Sequence, residues 1–227
     1  MGDIQAHDTI KVQPGDNLTF DWHHEIRNDT DDVIANSHHG PSLIYISPDP
    51  PTENSFVKLW HSGKYESNPF PQAGKWSTTS DIAKHFGHMN VRVPEGLKAG
   101  HYIIRAEMVG LHEGDVSYVQ NPKRGAQFYP DCVQILVEGD GEVELPEGVN
   151  FPGAYSYEDP GVVHNVRPSS NQALTSSLFA NRYRYTALLR RRSQKPPPLP
   201  ALPTTSSLDL LYGLVLGLRP PQSLSDP

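Results

Sequence analysis

Histidines, a glutamine and a tyrosine carry the chemistry this chain can offer, and they fall in three short segments. In Ser37-His38-His39-Gly40-Pro41, two histidines precede a Gly-Pro step. Imidazole is both a metal ligand and a proton carrier near neutral pH, and a Gly-Pro junction fixes the backbone beside it. Adjacent side chains point in different directions, so only one of the pair would join a given metal site. The segment Ala106-Glu107-Met108-Val109-Gly110-Leu111-His112-Glu113 ends an apolar strand on His112, facing a loop. On its own such a residue is a hydrogen-bonded structural histidine. Gly125-Ala126-Gln127-Phe128-Tyr129-Pro130-Asp131-Cys132 sets Gln127 and Tyr129 two positions apart. In extended backbone both point to one face, and Pro130 favours extended backbone at Tyr129. Standing alone, Tyr129 would read as a core tyrosine.

The elements that must position these residues are short strands. Thr9–Val12 alternates, Pro14-Gly15-Asp16-Asn17 turns, and Leu18–Trp22 alternates again. Ser42–Ile46 has a buried-strand pattern stopped by Pro48, Pro50 and Pro51, and Phe56–His61 is a further short strand. Ser80–Phe86 reads as a helical turn. Asn90–Val93 and Tyr102–Val109 are strands flanking a Pro94–Gly100 loop, and Cys132–Val137 is the last clear strand, closed by Gly139-Asp140-Gly141. Strands at this spacing, with long loops and almost no helix, predict an all-β fold: an antiparallel β-sandwich, immunoglobulin/fibronectin-like. No internal repeat is visible.

Composition narrows the function. The 227 residues contain 22 prolines and 18 glycines, with 36% hydrophobic residues, as in a loop-rich β protein. The net charge of −7 is unevenly divided. Residues 167–227 hold eight Lys/Arg and two Asp/Glu, and the first 166 hold 11 and 24. An acidic body argues against nucleic acid, which needs a positive face, and no stretch is long enough to span a membrane. Met1–Ala6 has neither a basic patch nor an apolar run, so these residues are not expected to be a signal peptide. Asn17-Leu18-Thr19 and Asn28-Asp29-Thr30 are glycosylation triplets. Cys132 is the single cysteine, either a buried thiol or half of a disulfide. From residue 167 the chain is rich in Ser, Pro, Arg and Leu, with Arg190-Arg191-Arg192 and Lys195-Pro196-Pro197-Pro198-Leu199-Pro200. This composition predicts two regions: a domain over 1–166 and a disordered extension over 167–227, whose alternative use would be as a ligand for proline-recognising domains. No paired carboxylates stand out as the acid and nucleophile of a glycosidase.

Taken together in order and spacing, the three segments resemble the fungal cellulose-active lytic polysaccharide monooxygenases, auxiliary activity family nine, formerly glycoside hydrolase family sixty-one. The likeness extends to Pro14-Gly15-Asp16, Phe20-Asp21-Trp22, Ala99–Glu107, Leu145–Val149, Phe151–Tyr155 and Asp159-Pro160-Gly161, so it covers roughly residues 3–166. The resemblance implies a monomeric secreted enzyme that oxidatively cleaves cellulose or a related β-1,4-glucan at C1 or C4. Its cofactor would be one copper ion, with O2 or H2O2 as co-substrate and an external reductant as electron donor. By residue, His38 matches a histidine of the copper "brace" and Tyr129 the axial tyrosine. His112 and Gln127 match the pair beside the copper that steers protons and bound oxygen. Tyr155 or Tyr157 would lie against the sugar face, and Cys132 matches half of a disulfide.

The chain departs from the family pattern at its start. The brace also uses the amine and side chain of an N-terminal histidine, and here Met1 stands first. The expectation is an N-terminally incomplete domain, without that histidine and without the cysteine partner of Cys132. His7 lies at the start of an expected interior strand and is a poor replacement, and His23 and His24 read as structural or solvated. Such a chain would hold copper weakly and have impaired activity. The alternatives are a non-catalytic polysaccharide-binding relative or a gene-model fragment.

Overall fold

Alternation of apolar and polar side chains along the strands sets the architecture. In the computed structural model, which describes residues 8–26, 31–66 and 73–166, nine strands are formed among the described residues. They are β1 (Ile10–Val12), β2 (Asn17–Asp21), β3 (Ser42–Pro48), β4 (Val57–Ser62), β5 (Lys64–Glu66), β6 (Lys75–Trp76), β7 (His88–Arg92), β8 (Gly100–Gly110) and β9 (Gln127–Val137). One helical turn of π type spans Ser77–Ile82, three residues earlier than the pattern places it. His7, the Asn28 triplet and the 167–227 extension lie outside the described residues.

The main sheet has the order β1-β9-β8-β3-β4, and β2 and β7 form a second, two-stranded sheet. Neighbours are antiparallel except for β1, which runs parallel to β9. The strands on either side of the Pro14-Gly15 turn therefore do not form a hairpin: β1 joins one sheet and β2 the other. A small β5–β6 ribbon, not foreseen from sequence, completes the set.

The core lies between the two sheets. Ile44, Ile46, Ile104, Ala106, Met108, Ile135 and Val137 point inward from the main sheet and meet Phe20, Met89, Val91, Val93 and Leu97. Burying a side chain of this size stabilises the fold by about 1.5–3 kcal/mol, before the opposing entropy. The register puts Met108 opposite Tyr129 and Gly110 opposite Gln127. Tyr129 and Gln127 thus leave β9 on the core-facing side, at the end of the sheet the second sheet does not reach. Tyr129 is only partly buried, at the margin of the core.

Candidate active site

Two loops and two strand ends converge where β8 and β9 begin to separate. His38 sits on a tight turn, with its amide donating to the Ala35 carbonyl at 2.9 Å. The buried hydroxyl of Thr78, from the helical turn, donates to the His38 carbonyl (2.7 Å) and accepts from the Gly40 amide (2.9 Å). The Val109 amide donates to the Pro41 carbonyl and that of Leu111 to the His39 carbonyl, each at 2.9 Å. The turn carrying His38 is therefore tied to the end of β8 that carries His112. Gly40 has no room for a side chain: a Cβ there would lie 1.7 Å from the Val109 carbonyl oxygen. That close approach is the physical reason for glycine in the His-Gly-Pro step.

The two imidazoles meet over Gly110. Their ring centroids are 3.9 Å apart and their planes tilted by 39°. A Cβ on Gly110 would stand 3.0 Å from Cδ2 of His38 and 3.3 Å from Nδ1 of His112, so the bare glycine backbone makes space for both rings. The Tyr129 ring lies 5.8 Å from that of His38. Its hydroxyl donates to Oε1 of Gln127 at 2.7 Å. His39 turns away, placing Nδ1 2.7 Å from the Thr79 hydroxyl, so the adjacent histidines do point in different directions.

Electrostatics favour neutral groups here. Burial, then the neighbouring His112, lowers the pKa of His38 below the usual imidazole value, with a hydrogen bond to Gln127 opposing. Burial raises that of the Tyr129 phenol. A neutral imidazole and an intact phenol at physiological pH are donors rather than charges. Nδ1 of His38 is 3.1 Å from the Ser37 hydroxyl, which leaves Nε2 as the nitrogen for a metal. Nδ1 of His112 is buried with no hydrogen-bond partner among the described residues, an orphaned polar atom of the kind that a ligand or water satisfies.

The donor set fits one side of a copper site and no more. One imidazole nitrogen and one phenol oxygen suit copper. Among the described residues, no group of three or more His, Cys, Asp or Glu side chains is arranged to hold a metal.

A charged cluster beside His112 escaped the sequence reading. Arg124 reaches Glu113 (3.2 Å) and Asp115 (2.5 Å), and these three, with Ser37, His112 and Asn165, line a cleft. Charges scattered through a loop carry no periodic signal, so only the fold reveals that they converge. Of the two tyrosines considered for sugar contact, Tyr157 is 57% exposed and stacks on Tyr118, itself 50% exposed, with centroids 5.8 Å apart. Tyr155 is half-buried. Its ring stacks on Phe128 at 5.5 Å, and its hydroxyl donates to Glu107 and lies 2.8 Å from that of Tyr45. Cys132 lies on the exposed stretch of β9. His23 and His24 pair with Asp21 (3.0 Å) and Asp32 (2.8 Å).

The model of Auxiliary Activity family 9 (formerly GH61) matches residues 2–175. The chain is 41% identical over 167 residues to AA9 family lytic polysaccharide monooxygenase A of Aspergillus niger, covering 73% of this chain and 37% of that protein. Identity to the Schizophyllum commune protein of the same name is 43% over 164 residues, covering 72% and 62% respectively. The chain thus spans between about a third and two thirds of the length of these curated relatives. Among solved structures it is similar to CvAA9A, with 32% identity and a TM-score of 0.63 over 71% of this chain and 70% of that one. It is also similar to the extended catalytic domain of H. jecorina LPMO9A, with 26% identity and a TM-score of 0.56 over 71% and 60%.

Proposed function

Because the chain belongs to Auxiliary Activity family 9, whose members imply copper, we propose that it carries one side of the copper centre of a secreted monooxygenase that cleaves cellulose or a related β-1,4-glucan by oxidation. What supports the reading is the His38–His112 ring contact at 3.9 Å, with Tyr129 and Gln127 against it.

In this reading His38 and Tyr129 hold the metal. Copper held there would supply one-electron chemistry with O2 or H2O2 and an external reductant, directed at C1 or C4 of a glucose unit. The protein's own work is positioning and proton management. His112 holds a proton on one ring nitrogen and presents the other; Gln127, fixed by the Tyr129 hydroxyl, orients polar species beside it. The exposed Tyr157 offers an aromatic face to the sugar. Tyr155 is the weaker candidate for that contact, because its hydroxyl and one ring face are already engaged. The extension from residue 167, separate in composition, is read as lying outside the domain.

One imidazole and one phenol would by themselves make a weak copper site. The second reading is a polysaccharide-binding relative without chemistry. Incubating the copper-loaded protein with swollen cellulose and ascorbate, then analysing soluble products by mass spectrometry, separates the two. Oxidised oligosaccharides that disappear in the His38→Ala variant support the monooxygenase. Binding to cellulose without any oxidised product supports the alternative.

A further inference from the structure

The turn that carries His38 is gripped from two sides, and the two grips differ in kind. From β8 the bonds run backbone to backbone: the Leu111 amide reaches the His39 carbonyl and the Val109 amide the Pro41 carbonyl, each at 2.9 Å. From the helical turn the grip centres on one side chain, Thr78, 40 positions from His38 in sequence. Its hydroxyl lies 2.7 Å from the His38 carbonyl oxygen and 2.9 Å from the Gly40 amide nitrogen. A hydroxyl has one proton to give and lone pairs to receive with, so it donates to His38 and accepts from Gly40 at once. The more distant Gly40 carbonyl, 3.2 Å from that hydroxyl, also receives the Thr78 amide at 3.2 Å.

Thr78 is itself firmly held. It is fully buried, and so are Trp76 and Ile82 on either side of it in sequence. The Trp76 indole N–H donates to the Ala73 carbonyl at 2.8 Å, and the Ser77 amide to the Gly63 carbonyl at 3.0 Å. Branching at Cβ makes threonine stiff about its first side-chain torsion, so the hydroxyl passes the position of the helical turn to whatever it bonds. The next residue meets the other histidine. The Thr79 hydroxyl lies 2.7 Å from Nδ1 of His39 and engages its ring rather than its backbone. Thr78 thus sets the backbone from which the His38 ring meets His112 over Gly110, while Thr79 bonds the His39 ring where it points away.

We propose that Thr78 is a positioning residue of the copper site: by holding the His38 carbonyl and the Gly40 amide, it aims the His38 ring at the metal and makes His38, not its neighbour, the ligand. The proposal rests on the reading of His38 as a copper ligand. Thr78 acts only through the backbone of the His38 turn. Without its hydroxyl the Gly40 amide loses this acceptor, and the His38 ring gains freedom that copper binding must then remove.

Copper(II) titrated calorimetrically into the whole protein, with the electron paramagnetic resonance spectrum of each complex, tests this. Thr78→Val keeps the shape and removes the hydrogen bonds; Thr78→Ala removes them without adding bulk, should the valine variant not fold. Either should weaken copper binding about tenfold and alter the spectrum, as losing a group that orients a metal ligand does. Thr78→Ser restores the hydroxyl and should bind within about twofold of the wild type. Thr79→Val, a residue away on the same turn, should match the wild type in affinity and spectrum. Wild-type affinity and spectrum in folded Thr78→Val or Thr78→Ala overturn the proposal. So does a loss of about tenfold in Thr78→Ser or in Thr79→Val. The His38→Ala variant separates this result from the copper reading. If His38→Ala binds copper as the wild type does, that reading falls and the proposal falls with it. If it loses copper while Thr78→Val does not, the positioning role alone is refuted.

Discussion

The two faces of the main sheet are buried by different means. The inner face is almost purely apolar: Ile44, Ile46, Ile104, Ala106 and Ile135 are completely enclosed and meet the second sheet. The outer face, under the loop carrying Phe151 and Tyr155, buries a charged and hydroxylic network instead. Arg105 bonds Glu107, Tyr155 bonds Glu107 and Tyr45, and the Arg105 guanidinium lies 4.4 Å from the Phe151 ring centroid. An apolar face gains stability in proportion to area and tolerates imprecise packing. A buried ionic network is different: it holds a unique arrangement while every partner is present and fails sharply when one is removed. The candidate copper site stands at the end of the inner face.

Breaking the outer network should have the largest effect. Glu107→Gln leaves the Arg105 charge buried without a counter-charge and should cost about 3–5 kcal/mol in urea unfolding. On the inner face, Ile104→Ala removes packing alone and should cost about 2–5 kcal/mol. The contrast is in rescue: Val at position 104 should recover most of the loss, whereas Asp at position 107, one methylene shorter, should not restore the bonds to Arg105 and Tyr155. Next in size is Tyr155→Phe, which strips a hydrogen bond from Glu107 and should cost about 1–3 kcal/mol. If it proves neutral, the outer face is held by stacking on Phe128 and the network is incidental.

The outer face also predicts a pH dependence. The Lys58 amine titrates near 8 in the folded chain and near its ordinary 10.5 when unfolded. Between those values the unfolded state binds the extra proton, so this group makes stability rise with pH across that window. Below about 8 both states are protonated and its penalty is fully present. Subtracting the Lys58→Met stability curve from that of the wild type should reveal the rise; a flat difference would contradict the burial of this amine.

The inner face was legible in the sequence. Ile44 and Ile46, like Ile104, Ala106 and Met108, alternate with residues of the other face, and the period alone places them in a strand. The Gln127–Tyr129 pair was legible for the same reason, and Gly40 because His-Gly-Pro marks a fixed junction. The outer face was not. Arg105 and Glu107 alternating with apolar residues look like a solvated face, and only a covering loop some 40 residues later buries them. The β9 strand begins at Gln127, well before the apolar run that announces it, because its first residues are paired on β8 while their side chains stay mostly exposed. For Tyr155 and Tyr157, two residues apart in one loop, exposure is decided by partners at positions 45, 107 and 118, which no local pattern contains.

The most direct test of the proposed metal site is a copper titration of the wild type, His38→Ala and His39→Ala, read by calorimetry and electron paramagnetic resonance. The two histidines are neighbours of equal intrinsic affinity, yet one faces His112 and Tyr129 and the other Thr79. The account predicts that His38→Ala weakens copper binding at least about tenfold and changes the spectrum, while His39→Ala does neither. Equal losses from both variants, or none from His38→Ala, would contradict it.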